Sequence, residues 1–346
     1  MPVISIADAE RYASTALRMV GFAQKAADST ARALVLAESQ GISSHGLTRI
    51  SQYISHLKND RINPQAEPLV IKRNHACVVV DAQAGLAFPA CDLAIDEGMH
   101  LARKFGISFS AVVRSHHAGV MADHLRRPVE AGLVGLGFSN APAVMPTAAG
   151  RHPVFGTNPI AAAFPRRAAA PLLIDLSLSE VTRGTLVSAA KSGKQIPLGW
   201  AVDSNGSPTT DPQAALQGSM LAIGATTSGK GAMLAMMIEL MASALIGTNF
   251  SFEASSFFVD SGNVPQLGHS FILIDPAALA GNDLYFDRLE LFIAELLNDD
   301  DVRLPGARRE TRLQKATSEG IEVHEDVLKM LQSLSSVSNS AEKTQG

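Results

Sequence analysis

The order of the predicted strands and helices limits the fold of this chain more than any single motif does. Strand-like segments are scattered along the sequence and do not alternate strictly with helical ones, so a regular doubly wound sheet is not indicated. The GxGxxG fingerprint of Rossmann domains is also missing, because Asn140 stands where the third glycine after Gly135 and Gly137 would lie. The pattern predicts an α/β (α+β) chain of some other architecture.

Composition and charge argue against nucleic-acid and membrane partners. The 346 residues are 46% hydrophobic and 18% charged, which suits a large buried core. A formal net charge of −4 provides no long-range field that would attract nucleic acid or an anionic membrane. The N-terminus lacks a secretory pattern, and the most apolar stretch, residues 232–246, is shorter than the roughly 20 residues of a membrane span. We therefore expect a cytoplasmic protein.

Two cysteines, Cys77 and Cys91, are too few for a disulfide framework or a cysteine zinc site. Both lie in apolar sequence, where a buried thiol is more common than a ligand or a nucleophile. We therefore expect both side chains to be buried.

Hydrophobic spacing and turn residues predict the secondary structure. Residues 6–60 should be helical, with Gly41 ending one helix and Ser43 or Ser44 capping the next. Residues 68–82 should form a β-hairpin that turns near residues 73–74, and residues 196–211 should form a loop. Further helices are expected at 86–105, 230–246 (buried), 287–298 and up to Leu334, and further strands at 107–114, 132–139, 153–164, 171–177 and 270–275. The polar tail, residues 336–346, should be disordered.

The segment SSHGLTR, which begins at Ser43, is the first candidate for chemistry. If it is helical, His45 and Arg49 lie four residues apart and share a face. A histidine exchanges protons near neutral pH, and an arginine one turn away binds a carboxylate with paired hydrogen bonds. The pair suits a small carboxylic acid that gains or loses a proton. An exposed helix start without function is the alternative.

A second candidate, His116-His117, follows the strand predicted at 107–114. Polar side chains at strand ends often line sites in α/β proteins. Paired histidines also suit a metal site, but a third ligand or an HExxH pattern is missing nearby. Structural histidines with satisfied hydrogen bonds are the other interpretation, and we predict no metal.

Two further segments are candidates for binding phosphate. The loop GATTSGKG (224–231) offers backbone N–H groups, a helix start and one lysine, but Gly231 replaces the Ser or Thr that a nucleotide P-loop needs for Mg²⁺. The segment RLPGARR (303–309) places three arginines around a Pro-Gly turn. A flexible helix start and a solvated surface are the respective alternatives.

Six segments, in order across residues 5–312, resemble the malate/L-lactate dehydrogenase-like family. They are SSHGLTRI, SHHAG (where relatives usually have SNHFG), PVFGTNPIAAAFPR, LLIDLSLSEVTRG, the glycine–lysine loop with the helix MIELMASALIG, and RLPGARR. The segment NFSFEASSF, from Asn249, is most similar to the branch that reduces Δ1-pyrroline-2-carboxylate and Δ1-piperideine-2-carboxylate.

This resemblance implies a fold and a domain organisation. The cofactor domain would be a non-Rossmann NAD(P)-binding domain with a mostly antiparallel sheet, formed by residues 116–284. Residues 1–115 and 285–335, with helical N- and C-terminal segments, would form the substrate and dimerisation domain. A homodimer is implied as well.

The resemblance also implies roles for individual residues. Ser44, His45 and Thr185 would be catalytic, with His45 as the proton donor, and Arg49 and Thr157 would bind substrate. The residues expected to hold the cofactor are His117, Ala118, Gly119, Val120, Met121, Asp175, Leu176, Ser177, Arg183, Gly184, Gly229, Lys230, Arg303, Leu304, Arg308 and Arg309.

The chain departs from the pattern at two positions of the expected site. Thr185 stands where the imine reductases carry an aspartate, and a threonine lacks the charge that would stabilise a protonated relay. Ala118 replaces the usual phenylalanine. The glycine–lysine loop that holds Gly229 and Lys230 is also about two residues longer than the resemblance implies.

By this resemblance the chain would be an NADPH-dependent, or alternatively NADH-dependent, reductase of cyclic imino acids. It would transfer hydride to C2 and form L-proline or L-pipecolate. An NAD-dependent 2-hydroxy-acid dehydrogenase of the malate, lactate, sulfolactate or ureidoglycolate type is the alternative. A dinucleotide-binding protein without catalysis is a third hypothesis, supported by Thr185.

Overall fold

The computed structural model describes residues 1–341, and it is built around a seven-stranded sheet. In spatial order the strands are β2 (Leu69–Asn74), β3 (Cys77–Asp81), β4 (Ile107–Ser115), β10 (Leu267–Ile274), β5 (Val134–Ser139), β6 (Ile160–Phe164) and β7 (Leu172–Leu176). Within this sheet β3 and β4 pair in parallel, and the other neighbours are antiparallel. The mostly antiparallel sheet is therefore confirmed.

Helices surround this sheet and form the two ends of the chain. They are α1 (Ile6–Met19), α2 (Gln24–Ser39), α3 (Arg49–Lys58), α4 (Ala87–Phe105), α5 (Arg126–Glu130), α6 (Arg183–Ser192), α7 (Pro212–Gln217), α8 (Lys230–Glu239), α9 (Asn282–Leu296), α10 (Ala307–Glu319) and α11 (Glu325–Ala341). Two short pairs complete the fold, β1 (Val3–Ile4) with β11 (Ile321–Glu322), and β8 (Ala201–Val202) with β9 (Ser219–Met220). Among the described residues, no helix is long and apolar enough to cross a membrane.

The N- and C-terminal helices share one hydrophobic core. Leu17 and Leu34, on α1 and α2, lie in the same buried cluster as Leu328 and Leu331 on α11. The burial of such side chains contributes about 25 cal/mol per Å² of apolar surface removed from water. The two ends of the chain therefore stabilise each other, while the predicted domain boundaries stay a prediction.

Helix α4 lies very close to the sheet because one of its faces carries small residues. Ala90, Ala94, Gly98 and Ala102 recur at intervals of four residues and are buried. A Cβ atom added at Gly98 would clash with the Ser110 hydroxyl on β4. This close contact supports β4, whose carboxyl end leads into His116 and His117.

Most predicted elements are confirmed, including the hairpin at 68–82, the helix at 86–105 and the strand at 107–114. The helix predicted at 230–246 is not fully buried, so this part of the prediction is wrong. One of its faces is 44–60% exposed at Met233, Met236, Met237 and Leu240. Cys91 is buried as predicted, but Cys77 is exposed. The last helix continues to Ala341, past the predicted end, and residues 342–346 of the predicted tail lie outside the described part of the chain.

Candidate active site

His45 and Arg49 lie in one site, although they do not share a helix as predicted. Residues 43–45 form a single 3₁₀ turn, Gly46 breaks it with extended backbone, and α3 begins only at Arg49. Thr48, and neither Ser43 nor Ser44, occupies the N-cap position of α3. The Arg49 Nε atom reaches back and donates a hydrogen bond of 2.6 Å to the Ser44 carbonyl. This bond ties the guanidinium to the turn that carries His45.

The environment of His45 favours the neutral imidazole. Its ring stacks on the ring of His117, with 5.3 Å between centroids, and its Nδ1 atom lies 3.0 Å from the Ser44 hydroxyl. Burial lowers the pKa of His45 to about 4, and the charges of Arg49 and Arg309 act in the same direction. Because Ser44 engages Nδ1, proton exchange between His45 and a substrate would use Nε2.

Arg49 is desolvated and has no acidic partner among the described residues. It is half-buried, and its Nη1 atom donates to the Gln52 side-chain oxygen at 2.8 Å. Burial lowers the pKa of Arg49, while Tyr53 acts in the opposite direction. A guanidinium removed from water without a counterion favours binding of an anion, and a carboxylate fits its planar donors.

A chain of hydrogen bonds behind the site fixes two histidine tautomers. Arg61 can only donate, so its 3.1 Å contact makes His56 Nε2 an acceptor and leaves the proton on Nδ1. That proton is donated to Nε2 of His116 at 2.9 Å, while Tyr53 contacts His117 Nδ1 at 2.8 Å. Burial lowers the pKa values of His116 and His117 well below their usual range. The layer formed by His56, His116 and His117 is therefore uncharged, and hydrogen bonds fix the orientation of its rings before any ligand binds.

The 255–263 loop covers this layer. Phe257 packs on His116 and His117, with ring centroids 4.9 and 5.5 Å away. Arg61 has no exposed surface and donates hydrogen bonds to four carbonyl groups of the loop, at positions 255, 256, 259 and 263. The loop is therefore pinned from inside the protein.

The sequence analysis assigns no role to His56, Arg61 or the 255–263 loop, although residues 255–257 belong to the segment NFSFEASSF that carries the branch resemblance. Tyr53 and His56 follow Arg49 by four and seven residues, which places all three on one face of α3. That spacing was a usable signal for Tyr53 and His56. The partners of Arg61 are about two hundred residues away in the chain, and local spacing gives no signal for them.

The predicted arginine cluster lines a cavity of about 530 Å³, whose wall also includes Ile42, the residue that precedes the 3₁₀ turn of His45. Its lining residues are Gln40, Ile42, Asp301, Arg303, Leu304, Pro305, Gly306, Arg308, Arg309 and Arg312. Arg309 donates to the Asp175 carboxylate on β7 at 2.7 Å, and its charge contributes to the lowered pKa of His45. Burial raises the pKa of Asp175, although Arg309 acts against this shift.

The cavity fits a phosphate-bearing cofactor. Its volume lies in the range of small-molecule sites. Arg303, Arg308 and Arg312 have no ion pair among the described residues, and guanidinium groups bind phosphate in a bidentate way. The arginines at this end of the site therefore suit the phosphates of a dinucleotide.

Other predicted residues lie around this centre. Ala118, Val120 and Met121 are buried after β4, and Gly119 adopts a left-handed φ of +70° against the Phe88 ring. Leu176 and Ser177 are exposed at the end of β7. Among the described residues, no group of three His, Cys, Asp or Glu side chains is placed to hold a metal ion.

Thr157 and Thr185 have contacts of different kinds. Thr157 accepts a backbone hydrogen bond from Leu178, and its neighbour Asn158 is anchored to the buried Glu239 at 2.7 Å. Thr185 is exposed, and its hydroxyl lies 2.9 Å from that of Thr182, the N-cap of α6. The structure therefore does not bring Thr185 into hydrogen-bond contact with Ser44 or His45, and its catalytic role stays a prediction.

Gly229 and Lys230 lie apart from the arginine-lined cavity. Gly229 is the N-cap of α8 and lines a second cavity of about 300 Å³, next to Arg151. Lys230 is exposed at the first position of that helix. Their expected contact with the cofactor stays a prediction.

Comparisons with known proteins identify the family. The model of the malate/L-lactate dehydrogenase family matches residues 4–332. A (2R)-3-sulfolactate dehydrogenase (NADP⁺) from Chromohalobacter salexigens is 43% identical, over 94% of this chain and 96% of its own. A Δ1-pyrroline-2-carboxylate/Δ1-piperideine-2-carboxylate reductase from Pseudomonas aeruginosa is 34% identical, over 91% and 95%.

A solved structure shows the same fold. The Δ1-piperideine-2-carboxylate reductase from Pseudomonas syringae pv. tomato superposes with a TM-score of 0.90 at 32% identity, covering 96% of this chain and all of the other. Fold, sequence and family model agree over nearly the whole length of the chain. The chain therefore belongs to the malate/L-lactate dehydrogenase family of NAD(P)-dependent oxidoreductases.

Proposed function

We propose that this chain is an NADP(H)-dependent 2-hydroxy-acid dehydrogenase, which also reduces the corresponding 2-oxo acid. The observation that carries the proposal is the placement of a neutral His45 beside a desolvated Arg49 without a counterion, next to an arginine-lined cavity. The sulfolactate dehydrogenase, at 43% identity, supports this reaction class.

In the proposed reaction Arg49 binds the substrate carboxylate and orients C2 toward the nicotinamide. His45 Nε2 then removes the proton of the C2 hydroxyl during oxidation and returns it to the oxygen during reduction. A bound nicotinamide cofactor would supply the hydride chemistry at C2, where one C–H bond and one O–H bond of the substrate break in the oxidative direction. A bound carboxylate offsets the charge of Arg49, which favours protonation of His45 when the enzyme works as a reductase.

NADP(H) is proposed over NAD(H) because several arginines line the cavity. An additional phosphate on the ribose needs cationic groups, which Arg303, Arg308 and Arg312 provide without acidic partners among the described residues. The expected contacts of His117, Asp175 and their neighbours with the rest of the cofactor remain part of the proposal.

The reduction of cyclic imino acids is a second candidate function. Its support is the likeness to the piperideine-2-carboxylate reductase structure and to several pyrroline-2-carboxylate reductases at 31–35% identity. In that reaction the hydride would again go to C2, with His45 as the proton donor. Thr185 argues against it, because the resemblance to that branch implies an aspartate at this position.

A substrate-by-cofactor screen tests the proposal. We would assay 3-sulfopyruvate, oxaloacetate, pyruvate, Δ1-pyrroline-2-carboxylate and Δ1-piperideine-2-carboxylate with NADPH and with NADH. The proposal predicts that kcat/KM is highest for a 2-oxo acid with NADPH. A higher kcat/KM for a cyclic imine would establish the second candidate. Cofactor binding without turnover of any of these would support a non-catalytic protein.

The predicted homodimer also remains a proposal. The exposed methionine face of α8 supports it, because a large apolar surface often marks a subunit interface. Sedimentation equilibrium of the full chain gives the test, and a monomer at micromolar concentration would contradict it.

A further inference from the structure

The guanidinium of Arg49 is held by hydrogen bonds at two of its nitrogens. Its Nε atom donates to the Ser44 carbonyl at 2.6 Å, and its Nη1 atom donates to the side-chain oxygen of Gln52 at 2.8 Å. An arginine side chain carries one N–H on Nε and two on each Nη atom. One donor on Nη1 and both donors on Nη2 are therefore left without a partner among the described residues.

Gln52 uses both ends of its amide, and this decides which end faces Arg49. The amide nitrogen donates to the Phe257 carbonyl, in the 255–263 loop. A flipped amide would place its N–H groups against the donors of Arg49 and its oxygen against that carbonyl, so both hydrogen bonds would be lost. The oxygen of Gln52 therefore faces Arg49. Because Arg61 pins the loop from inside the protein, the amide of Gln52 is held firmly at its other end.

The groups that hold Arg49 are all uncharged. Ser44 and Gln52 offer neutral oxygens, and the ring centroid of Phe258 lies 5.8 Å from the guanidinium carbon. Within residues 1–341 Arg49 forms no ion pair, and burial lowers its pKa. A carboxylate at position 52 would have the same shape as the amide, but it would cancel the charge of the guanidinium. Glutamine gives the same support and leaves that charge free.

We propose that Gln52 is a positioning residue for Arg49, which fixes the guanidinium with a neutral oxygen and so keeps its charge available to the substrate carboxylate. The inference rests on the proposed function, in which Arg49 binds that carboxylate, and deepens it. Contacts on two different nitrogens fix the plane of the guanidinium, which a single contact would leave free to rotate. The remaining donors then have one direction, and they hold the carboxylate in one place relative to His45.

The bond from Gln52 to the loop has to be separated from its effect on Arg49. Glutamate and methionine both lack the amide N–H, so either substitution removes the bond to the Phe257 carbonyl. The two differ at Arg49, where a glutamate would form a charge-assisted pair and a methionine would form no hydrogen bond. A role of Gln52 in holding the loop alone predicts equal effects of the two substitutions. The positioning role predicts a much larger effect of Gln52→Glu.

Binding of oxamate, which resembles pyruvate but does not accept a hydride, tests the inference without any turnover. Its Kd would be measured calorimetrically on the full chain with NADPH present, for the unaltered protein, Gln52→Met and Gln52→Glu. We expect the Kd to rise about fivefold in Gln52→Met and at least about 50-fold in Gln52→Glu. Gln332→Glu, at an exposed position of α11, is the matched control for the added charge and should leave the Kd within about twofold.

Steady-state kinetics and cofactor binding complete the test. The KM for a 2-oxo acid should rise in the same order as the Kd of oxamate, while kcat at saturation falls less than about fivefold in either variant. The Kd of NADPH, which should stay within about threefold, reports that both variants are folded.

Three results would overturn the inference. One is a Kd for oxamate in Gln52→Glu that equals that of the unaltered protein. Another is the same rise in both variants, which would reduce Gln52 to its contact with the loop. The third is an unchanged Kd in Gln52→Met, which would show that Arg49 needs no support from this position. Oxamate binding in the expected order without turnover of any 2-oxo acid would keep the inference and reject the proposed function, and turnover with a KM that Gln52→Glu leaves unchanged would do the reverse.

Discussion

Replacing His269 by asparagine should remove part of the acid sensitivity of the fold. His269 lies on β10 at the centre of the sheet and has no exposed surface. Its Nδ1 atom is 2.8 Å from the Ser139 hydroxyl, and its Nε2 atom donates to the His116 carbonyl at 3.1 Å. Burial lowers the pKa of His269 to about 3, and the charge of His124 acts in the same direction.

The size of the effect follows from proton linkage. The unfolded chain has the ordinary histidine pKa of 6.5, so between the two pKa values it binds more protons than the folded protein. Protonation of His269 therefore does not change the free energy of unfolding above about pH 7. Below that pH, the unfolded chain takes up a proton at His269 and the free energy of unfolding decreases. Between about pH 7 and about pH 5 the loss is roughly 2 kcal/mol, provided that the folded pKa lies below about 4.

Urea unfolding at the two pH values, at one protein concentration, measures this loss. We expect the decrease in unfolding free energy to be about 2 kcal/mol smaller in His269→Asn than in the unaltered protein. The hydrogen bonds lost in the variant are absent at both pH values and cancel in the difference. His152→Asn, at an exposed position, is the matched control. The same pH-dependent decrease in all three proteins would refute the reasoning.

The remaining predictions concern three arginines. Arg49→Ala should raise the KM for a 2-oxo acid roughly 30-fold or more with an unchanged Kd for NADPH, and Arg49→Lys should recover part of the loss; a normal KM would contradict the carboxylate role. Arg61→Gln should lower the free energy of unfolding by about 3 kcal/mol, because loop carbonyls lose their donors, and a loss under about 1 kcal/mol in urea unfolding would contradict the pinned loop. Arg308→Ala should raise the KM for NADPH about tenfold more than the KM for NADH, with exposed Arg18→Ala as the control; equal changes would argue against a phosphate contact.

Local patterns were sufficient for most of the fold. The strand at 107–114 and the helix at 86–105 were predictable because their apolar and small residues repeat with the periods of a strand and a helix. The break at Gly46 between the 43–45 turn and α3 was not predictable, because a short 3₁₀ turn and the start of an α-helix contain similar residues. His45 and Arg49 were still predicted as a pair, because a helix would place residues four apart on one face. In the structure the hydrogen bond from Arg49 to the Ser44 carbonyl keeps them in one site instead.

The long-range contacts that hold the 255–263 loop against the site were not predictable from the sequence. Arg61 appears in the chain as an ordinary surface arginine, and only the folded chain encloses it in carbonyl groups from the 255–263 loop. The contact of Phe258 with Arg49 and Arg183 joins three segments that are far apart in sequence. Such long-range contacts leave no periodic signal. Thr185 shows the reverse case, in which the sequence predicts a contact that the structure lacks. The resemblance implies a catalytic relay for Thr185, but its hydroxyl contacts that of Thr182 instead.

The kcat of His45→Asn, measured from NADPH consumption with saturating 2-oxo acid, tests the proton-transfer role most directly. The account predicts that kcat falls at least about 100-fold, while the Kd of NADPH, measured by its fluorescence, stays within about threefold of that of the unaltered protein. A variant that keeps a normal kcat would show that another group moves the proton, and it would contradict the mechanism proposed for this site.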